Sequence, residues 1–429
     1  MKNYVTTWLI GTLAFLAIVI AINVAVDPYG ILGMPRIAGF NRDKVAAADW
    51  PRMVKPYLVG RADPKTILLG TSSSDVGYDA SSPDWPAEYR PMFNLAIDGA
   101  LVDQLYRYEQ HALAVSHPKL VVINISLEDS QVFEDTPHGS YDFDERLAVR
   151  ADGSPNPDLQ VGIFKDYLFA VGSFRALGDS IDTVLAQHNP LKTYETPLGF
   201  LDAGKFVSWA KDDGFYALAS DKDHLHAGMD IRWAHKKMSG IDPLADMIKL
   251  ARGHGAKVIV VIIPSYADQM EIRRQTGIGD AFDTWKRRVV EITDSANAAL
   301  GDVTLWDFGG FSRYTTEQLP AQDDHATRLK WFWESIHFQP ALGNLIVQRL
   351  MGKGPDDFGL KLTAANLQAD IDAYHRGQET WESDHPKDVA RITRFIAEAY
   401  CTDNPAACAN GIVSPPPAEP VTAEKIGSK

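Results

Sequence analysis

Hydrophobic and polar positions change character along the chain. From Tyr4 to Val26 there is no charged residue, and Trp8 to Val26 is apolar almost without a break. That run of 19 residues, at about 1.5 Å each, covers roughly the hydrocarbon thickness of a bilayer. A soluble helix this apolar on every side would be unusual. An uncleaved transmembrane anchor over residues 1–27 is therefore expected. The rival is a cleavable signal peptide, whose apolar region would be nearer about 7–15 residues and end in an Ala-x-Ala-like site. The run here is longer and the site is poor.

Further on, short apolar runs alternate with segments of helical period. Thr66–Leu69, Met92–Ile97, Leu120–Ile125, Lys257–Ile263 and Val303–Phe308 read as five strands. Leu101, Leu105, Tyr108 and Ala112 recur at helical spacing. Asp242-Pro243 reads as a helix start, Leu244, Met247, Ile248 and Ala251 as its apolar face, and Gly253 with Gly255 as its end. Further helices are expected over about 279–299 and from Pro340 to Met351. This alternation predicts an α/β fold, a three-layer α/β/α sandwich on a five-stranded parallel sheet. The expected organisation is an anchor (1–27), a linker (28–60), the α/β/α domain (61–352), a helical extension (353–410) and a disordered tail (411–429). Residues 131–234 break the rhythm; rich in Asp, Gly, Pro and aromatics, they read as an insertion, partly helical around 163–188.

Composition narrows the classes. The net charge is 42 − 56 = −14, with no Lys/Arg cluster to make a basic face, so no nucleic-acid partner is expected. Lys2 precedes the anchor, and Arg36, Arg42 and Lys44 follow it. Positive charge alone would then point the wrong way for an exported domain, a weak argument after so short a leader. Cys401 and Cys408 are separated by a turn-rich stretch. A disulfide there would suit an oxidising compartment; the other reading is two unpaired thiols. No Cys/His spacing resembles a zinc site, and no cofactor is called for. Asp221-Lys-Asp-His224-Leu-His226 and Tyr141-Asp-Phe-Asp-Glu145 are read as solvated loops before metal sites.

The chemistry concentrates in two places. The first strand ends in Gly70-Thr71-Ser72, and Glu334-Ser-Ile-His337 follows the fifth. Parallel sheets bind ligands at the carboxyl ends of their strands, where both segments fall. A serine hydroxyl is a weak nucleophile until a base takes its proton, and histidine suits that task near neutral pH. A carboxylate on the other ring nitrogen fixes the tautomer. Ser72, His337 and Glu334 are thus the candidate nucleophile, base and orienter, with Asp307 at the end of the fifth strand a rival orienter. The backbone N–H groups of Ser72 and Gly99 are candidate oxyanion donors. Taken singly, each has a blander reading: a turn serine, a packed histidine, a surface acid. Trp331 and Trp333 could stack on sugar rings, although core packing is the commoner role.

This order of parts resembles the SGNH (GDSL-type) hydrolase superfamily. Gly70-Thr71-Ser72 is similar to that family's first block, Asn94–Ala100 with Gly99 to its second, and Glu334–His337 to its last, over roughly 61–130 and 235–352. The chain is further similar to membrane-anchored bacterial envelope members, such as the alginate-acetylation and D-alanylation proteins. Asp27-Pro-Tyr-Gly30 and Arg52–Tyr57 support that branch. The resemblance implies a flavodoxin-like fold and a serine esterase or O-acyltransferase acting on acyl, for instance acetyl, esters of an envelope polysaccharide. It implies an O-acylated glycan as substrate, a membrane-bound O-acyltransferase as partner, and an inner-membrane anchor with the main domain in the periplasm or outside. A non-catalytic partner or scaffold of such an acyltransferase is the alternative. The departures are Thr71 for the block's Asp, Ser73 where relatives carry Arg, Glu334 for Asp, and Ser126-Leu-Glu-Asp129 where an Asn follows the third strand. Asn124 lies inside that strand and is not expected to reach the site.

Overall fold

The computed structural model describes residues 2–130, 144–233 and 240–409, together with Gly411, Val413 and Pro415. Most of the expected tail and the Tyr141–Phe143 part of the second acidic cluster lie outside the described residues. The strands are β1 (Thr66–Leu69), β2 (Met92–Asn94), β3 (Leu120–Ile125), β4 (Thr193–Glu195), β5 (Leu201–Ala203), β6 (Lys257–Ile262), β7 (Val303–Asp307) and β8 (Leu360–Leu362). The sheet runs β2-β1-β3-β6-β7-β8, and β4 with β5 forms a separate antiparallel pair. β1, β2, β3, β6 and β7 are parallel. β1 and β3 are buried along their whole length, as strands covered on both faces must be.

The sheet has six strands rather than the expected five. β8 joins antiparallel to the β7 edge. Leu360 and Lys361 stay exposed there, so three residues at an edge give no apolar run to read. The sheet is mixed, though mostly parallel.

The helices are α1 (Lys2–Val26), α2 (Pro51–Ala62), α3 (Ser72–Gly77), α4 (Val102–Val115), α5 (Leu159–Gly172), α6 (Phe174–Ala186), α7 (Gly204–Asp212), α8 (Phe215–Trp233), α9 (Pro243–Gly253), α10 (Ala267–Gln275), α11 (Gly279–Leu300), α12 (Pro340–Leu350), α13 (Leu367–Asp384) and α14 (Pro386–Asp403). α1 is long and apolar enough over Tyr4–Val26 to cross a membrane, and most of it is uncovered.

Where a linker was expected, the chain folds tightly onto the end of α1. Asp27 turns left-handed at φ 48° and accepts the N–H groups of Leu32, Gly33 and Met34 at 3.0–3.2 Å. The last carbonyls of α1 are capped from outside the helix. Asn41 Nδ2 donates to Ala25 and Val26 O, both at 3.2 Å, and buried Lys44 Nζ to Val26 O at 2.6 Å. The insertion contributes more regular structure than its composition announces: α5 to α8 and the β4–β5 pair.

α14 packs on α8 and α10. Its Arg391 reaches Asp223 of α8 at 2.8 Å and Asp268 of α10 at 2.5 Å, all of them buried. Cys401 and Cys408 form a disulfide with Cα atoms 5.5 Å apart.

Candidate functional site

β1 delivers Ser72 to the carboxyl edge of the sheet. After Leu69 the chain must turn at once into α3, and Gly70 makes this feasible. A Cβ at Gly70 would lie 2.4 Å from Ser74 Oγ and 3.1 Å from Asn124 Cβ. Ser72 opens α3, so its N–H has no helical acceptor. α3 is pinned from behind by Lys55 of α2. Its fully buried ammonium donates to Asp75 Oδ1 at 2.6 Å, Ala96 O at 2.6 Å and Gly199 O at 2.8 Å. Glu195 Oε1 stands 3.5 Å away. One cation thus faces two buried carboxylates, and burial pushes the Glu195 carboxyl well above the usual carboxylate range.

His337 comes from a loop closed like a hairpin. Trp333 N–H donates to His337 O at 2.8 Å and Gln339 N–H to Trp331 O at 2.7 Å. Gln339 Nε2 ties the strands of this loop to Leu329 and Phe332 carbonyls. Within the loop the buried Glu334 carboxylate meets His337 Nδ1 through a short hydrogen bond, and its other oxygen accepts Ile336 N–H at 2.8 Å. Burial works against ionisation of Glu334, yet His337 and the Ile336 N–H hold it below the usual carboxylate range. An ionised carboxylate on Nδ1 leaves Nε2 as the nitrogen available to a substrate. Phe206 of α7 covers the imidazole, with ring centres 5.3 Å apart.

Two contacts join the serine and histidine segments. Ser73 Oγ donates to Ile336 O at 3.0 Å. Phe338 packs edge-on to Tyr78 at 5.3 Å and fills the place of a side chain at Gly77, where a Cβ would lie 2.0 Å from its ring. No hydrogen bond joins Ser72 to His337, but both line one cavity of about 580 Å³. Apo sites are often looser than the complexes in which they act.

Gly99 lines the same cavity at φ 62°, a left-handed conformation that suits glycine. So does Asp129. After β3, Ser126 and Asp129 cap each other: Ser126 N–H donates to Asp129 Oδ2 at 2.9 Å, and Asp129 N–H to Ser126 Oγ at 3.4 Å. Burial and neighbouring Glu128 push the Asp129 carboxyl up to about 7, against hydrogen bonds from Ser126 and Thr71. Burial likewise opposes ionisation of Glu128, but Arg273, 2.6 Å away, holds it below the usual range. His226, also on the wall, is held down at about 4, mainly by burial, so it is neutral at pH 7.

Of the candidate residues, Ser72, Gly99 and His337 line one cavity, and Glu334 lies behind its wall on His337 Nδ1. The rival orienter is elsewhere: Asp307 pairs with Lys286 at 2.7 Å and accepts Gly309 N–H. Asn124 bonds Leu69 O and Tyr78 and stays out of the cavity. Asp223, His224 and His226 lie on α8, not on a loop, and diverge. Asp223 meets Arg391, His224 faces Phe395, and His226 lines the cavity. Among the described residues no His/Cys/Asp/Glu group could hold a metal ion. Trp333 stacks on Phe206 and Trp331 packs against Tyr314, outside the cavity. Sequence reasoning missed Asp129, His226, Gln269 and Arg273. The Ser-x-x-Asp spacing after β3 was a usable signal for Asp129; nothing local marks Gln269 or Arg273. No protein-family model matches this chain, and no curated protein matches it in sequence.

Proposed function

We propose that the chain is a membrane-anchored serine esterase or O-acyltransferase of SGNH type, acting on acyl esters of an envelope polysaccharide. The observation that carries this reading is that Ser72 and His337 share a cavity while buried Glu334 occupies His337 Nδ1. Ser72 Oγ attacks the acyl carbon and its proton passes to His337 Nε2. The oxyanion receives the N–H groups of Ser72 and Gly99. His337 returns the proton to the departing sugar oxygen, leaving an acyl-serine. Water or a second sugar hydroxyl then repeats the sequence in reverse.

Asp129 stands in for the missing Asn. Below pH 7 its neutral carboxyl can donate a hydrogen bond towards the developing charge, as a raised acid does in other enzymes. The disulfide suits an oxidising compartment and so supports a periplasmic or outer position for the domain. The partner in this reading is a membrane-bound O-acyltransferase.

The absence of a Ser72–His337 hydrogen bond favours the second reading, a non-catalytic scaffold for that acyltransferase. A fluorophosphonate probe separates the two. The esterase reading expects wild-type labelling that disappears in Ser72→Ala and drops sharply in His337→Ala. Folded wild-type protein that does not label would sink it.

A further inference from the structure

We infer that the α5–α6 hairpin is seated in lipid beside the anchor, so that the protein holds the membrane by three helices rather than one. The polarity of this hairpin is inside out. Its outward stripe is Val161, Phe164 and Leu168 on α5, then Phe174, Ile181 and Leu185 on α6. Phe164 is 66% exposed, Leu168 56%, Phe174 62% and Leu185 71%. The inward face carries Asp166, Asp179, Ser180 and Thr183, all buried. Helices that face water show the opposite arrangement, apolar towards the protein and polar outwards. An outward apolar stripe over a polar inner face fits an apolar medium.

Asp166, Asp179 and Ser180 are held by protein, while the buried Thr183 hydroxyl has no partner among the described residues. Asp166 accepts from Arg146 at 2.7 and 2.9 Å and from Tyr57 at 2.7 Å. Asp179 accepts from Tyr29 at 2.5 Å. Ser180 donates to Asn23 Oδ1 of α1 at 3.0 Å, and Asn23 Nδ2 donates to Val171 O at 3.1 Å. Small hydroxyls and amides bonding across helices are the usual glue where lipid removes the hydrophobic drive for association.

The occupant follows from what the stripe adjoins. α5 and α6 pack on α1, the helix fit to cross a bilayer. Phe174, at the tip, stacks on Phe15 at 6.1 Å. Phe15 lies 11 residues before the end of α1, which at about 1.5 Å per residue is roughly 16 Å, half the hydrocarbon thickness. If α1 is in the bilayer, the Phe174 ring reaches down towards Phe15, while the backbone of the tip, whose Val171 and Ser173 carbonyls accept from Asn23 Nδ2 at 3.1 and 3.3 Å, lies level with the last turn of α1, just inside the interface. The outward charges on the hairpin are Lys165, which bonds Glu145 at 2.6 Å, Arg175, which bonds Asp179 at 3.0 Å, and exposed Asp182 beside Ile181, and charges of this kind fit the interface rather than the hydrocarbon centre. The inference rests on α1 crossing a bilayer and not on the ester chemistry.

The test uses the full chain in vesicles of phosphatidylethanolamine and phosphatidylglycerol containing no other protein. Both native cysteines are in the disulfide, so single cysteines at Phe164, Leu168 and Leu185 can carry an environment-sensitive fluorophore. Leu13→Cys in α1 and Ala369→Cys on α13 are the lipid and water controls. Quenching by brominated lipid at all three hairpin positions is expected, with iodide quenching at least about fivefold below that at Ala369. Using three positions guards against one variant folding poorly. Iodide access at the hairpin equal to that at Ala369, with Leu13 quenched by lipid, overturns the inference. Iodide access at Leu13 overturns it as well. Protection in native membranes but not in pure lipid would assign the stripe to a protein partner, and would also overturn it.

Discussion

At the scale of single residues, Glu334 is the most exposed to test. Its charge faces His337 Nδ1 from a buried position, so Glu334→Gln keeps the shape and removes the charge. Under the esterase reading kcat falls by about 10²–10⁴ while KM changes little, measured with an activated acyl ester. Asp129 gives a pH signature. With its carboxyl at about 7, it is a donor below that pH and a repelling anion above it. Wild-type kcat/KM is expected to fall above pH 7, and Asp129→Asn, a donor at every pH, is expected to lose that limb. If both profiles coincide, Asp129 has no part in holding the oxyanion. The catalytic candidates were legible because strand, turn and Glu-x-x-His spacing are local patterns. Arg273 and Gln269 were not, because they reach the cavity from α10, whose sequence gives no hint of what it faces.

At the scale of elements, the meeting of α3, α12 and the histidine loop depends on glycines. A methyl at Gly77 would lie 2.0 Å from the Phe338 ring, and one at Gly343 would lie 1.9 Å from Gly77 O. Gly77→Ala should destabilise by about 1–3 kcal/mol as an overpacked contact. It should also cut activity, because Phe338 adjoins His337; denaturant midpoints and turnover check the two effects. Between α2, α4 and the insertion, His111 is held neutral. Its Nδ1 accepts Ala148 N–H at 2.9 Å, so Nε2 donates to Pro56 O at 3.0 Å. Burial depresses the imidazole to about 4. Its stabilising effect is therefore present above the unfolded value near 6.5 and lost as pH falls through about 4. Stability should decline over that window by up to about 1.4 kcal/mol per pH unit for this proton. His111→Gln should flatten its share of the slope in urea titrations. The parallel strands were readable as unbroken apolar runs. β8 was not, being short and at an edge, and the helices of the insertion were blurred because their apolar stripe points outward.

At the scale of the whole molecule, the C-terminal helices are bound into the core by charge as well as by packing. Arg391→Met would leave Asp223 and Asp268 buried without their cation. A loss of about 3–5 kcal/mol is expected in equilibrium unfolding. A change within error would mean that α14 contributes little to the folded unit. No local pattern could announce this triad, since its members come from three helices far apart in the chain. The same scale gives meaning to the cap on α1. Asn41 and Lys44 grip its final carbonyls while Asp27 folds the next turn back upon itself. There is no leash between α1 and the α/β body. On the proposed reading of an anchored esterase, a tethered enzyme would sweep a hemisphere of space above its membrane, whereas this one would behave as a fixed jig, with its cavity at one height and one tilt. Its substrate would then have to be presented at that height, by a chain that slides past or by a neighbour that hands it over.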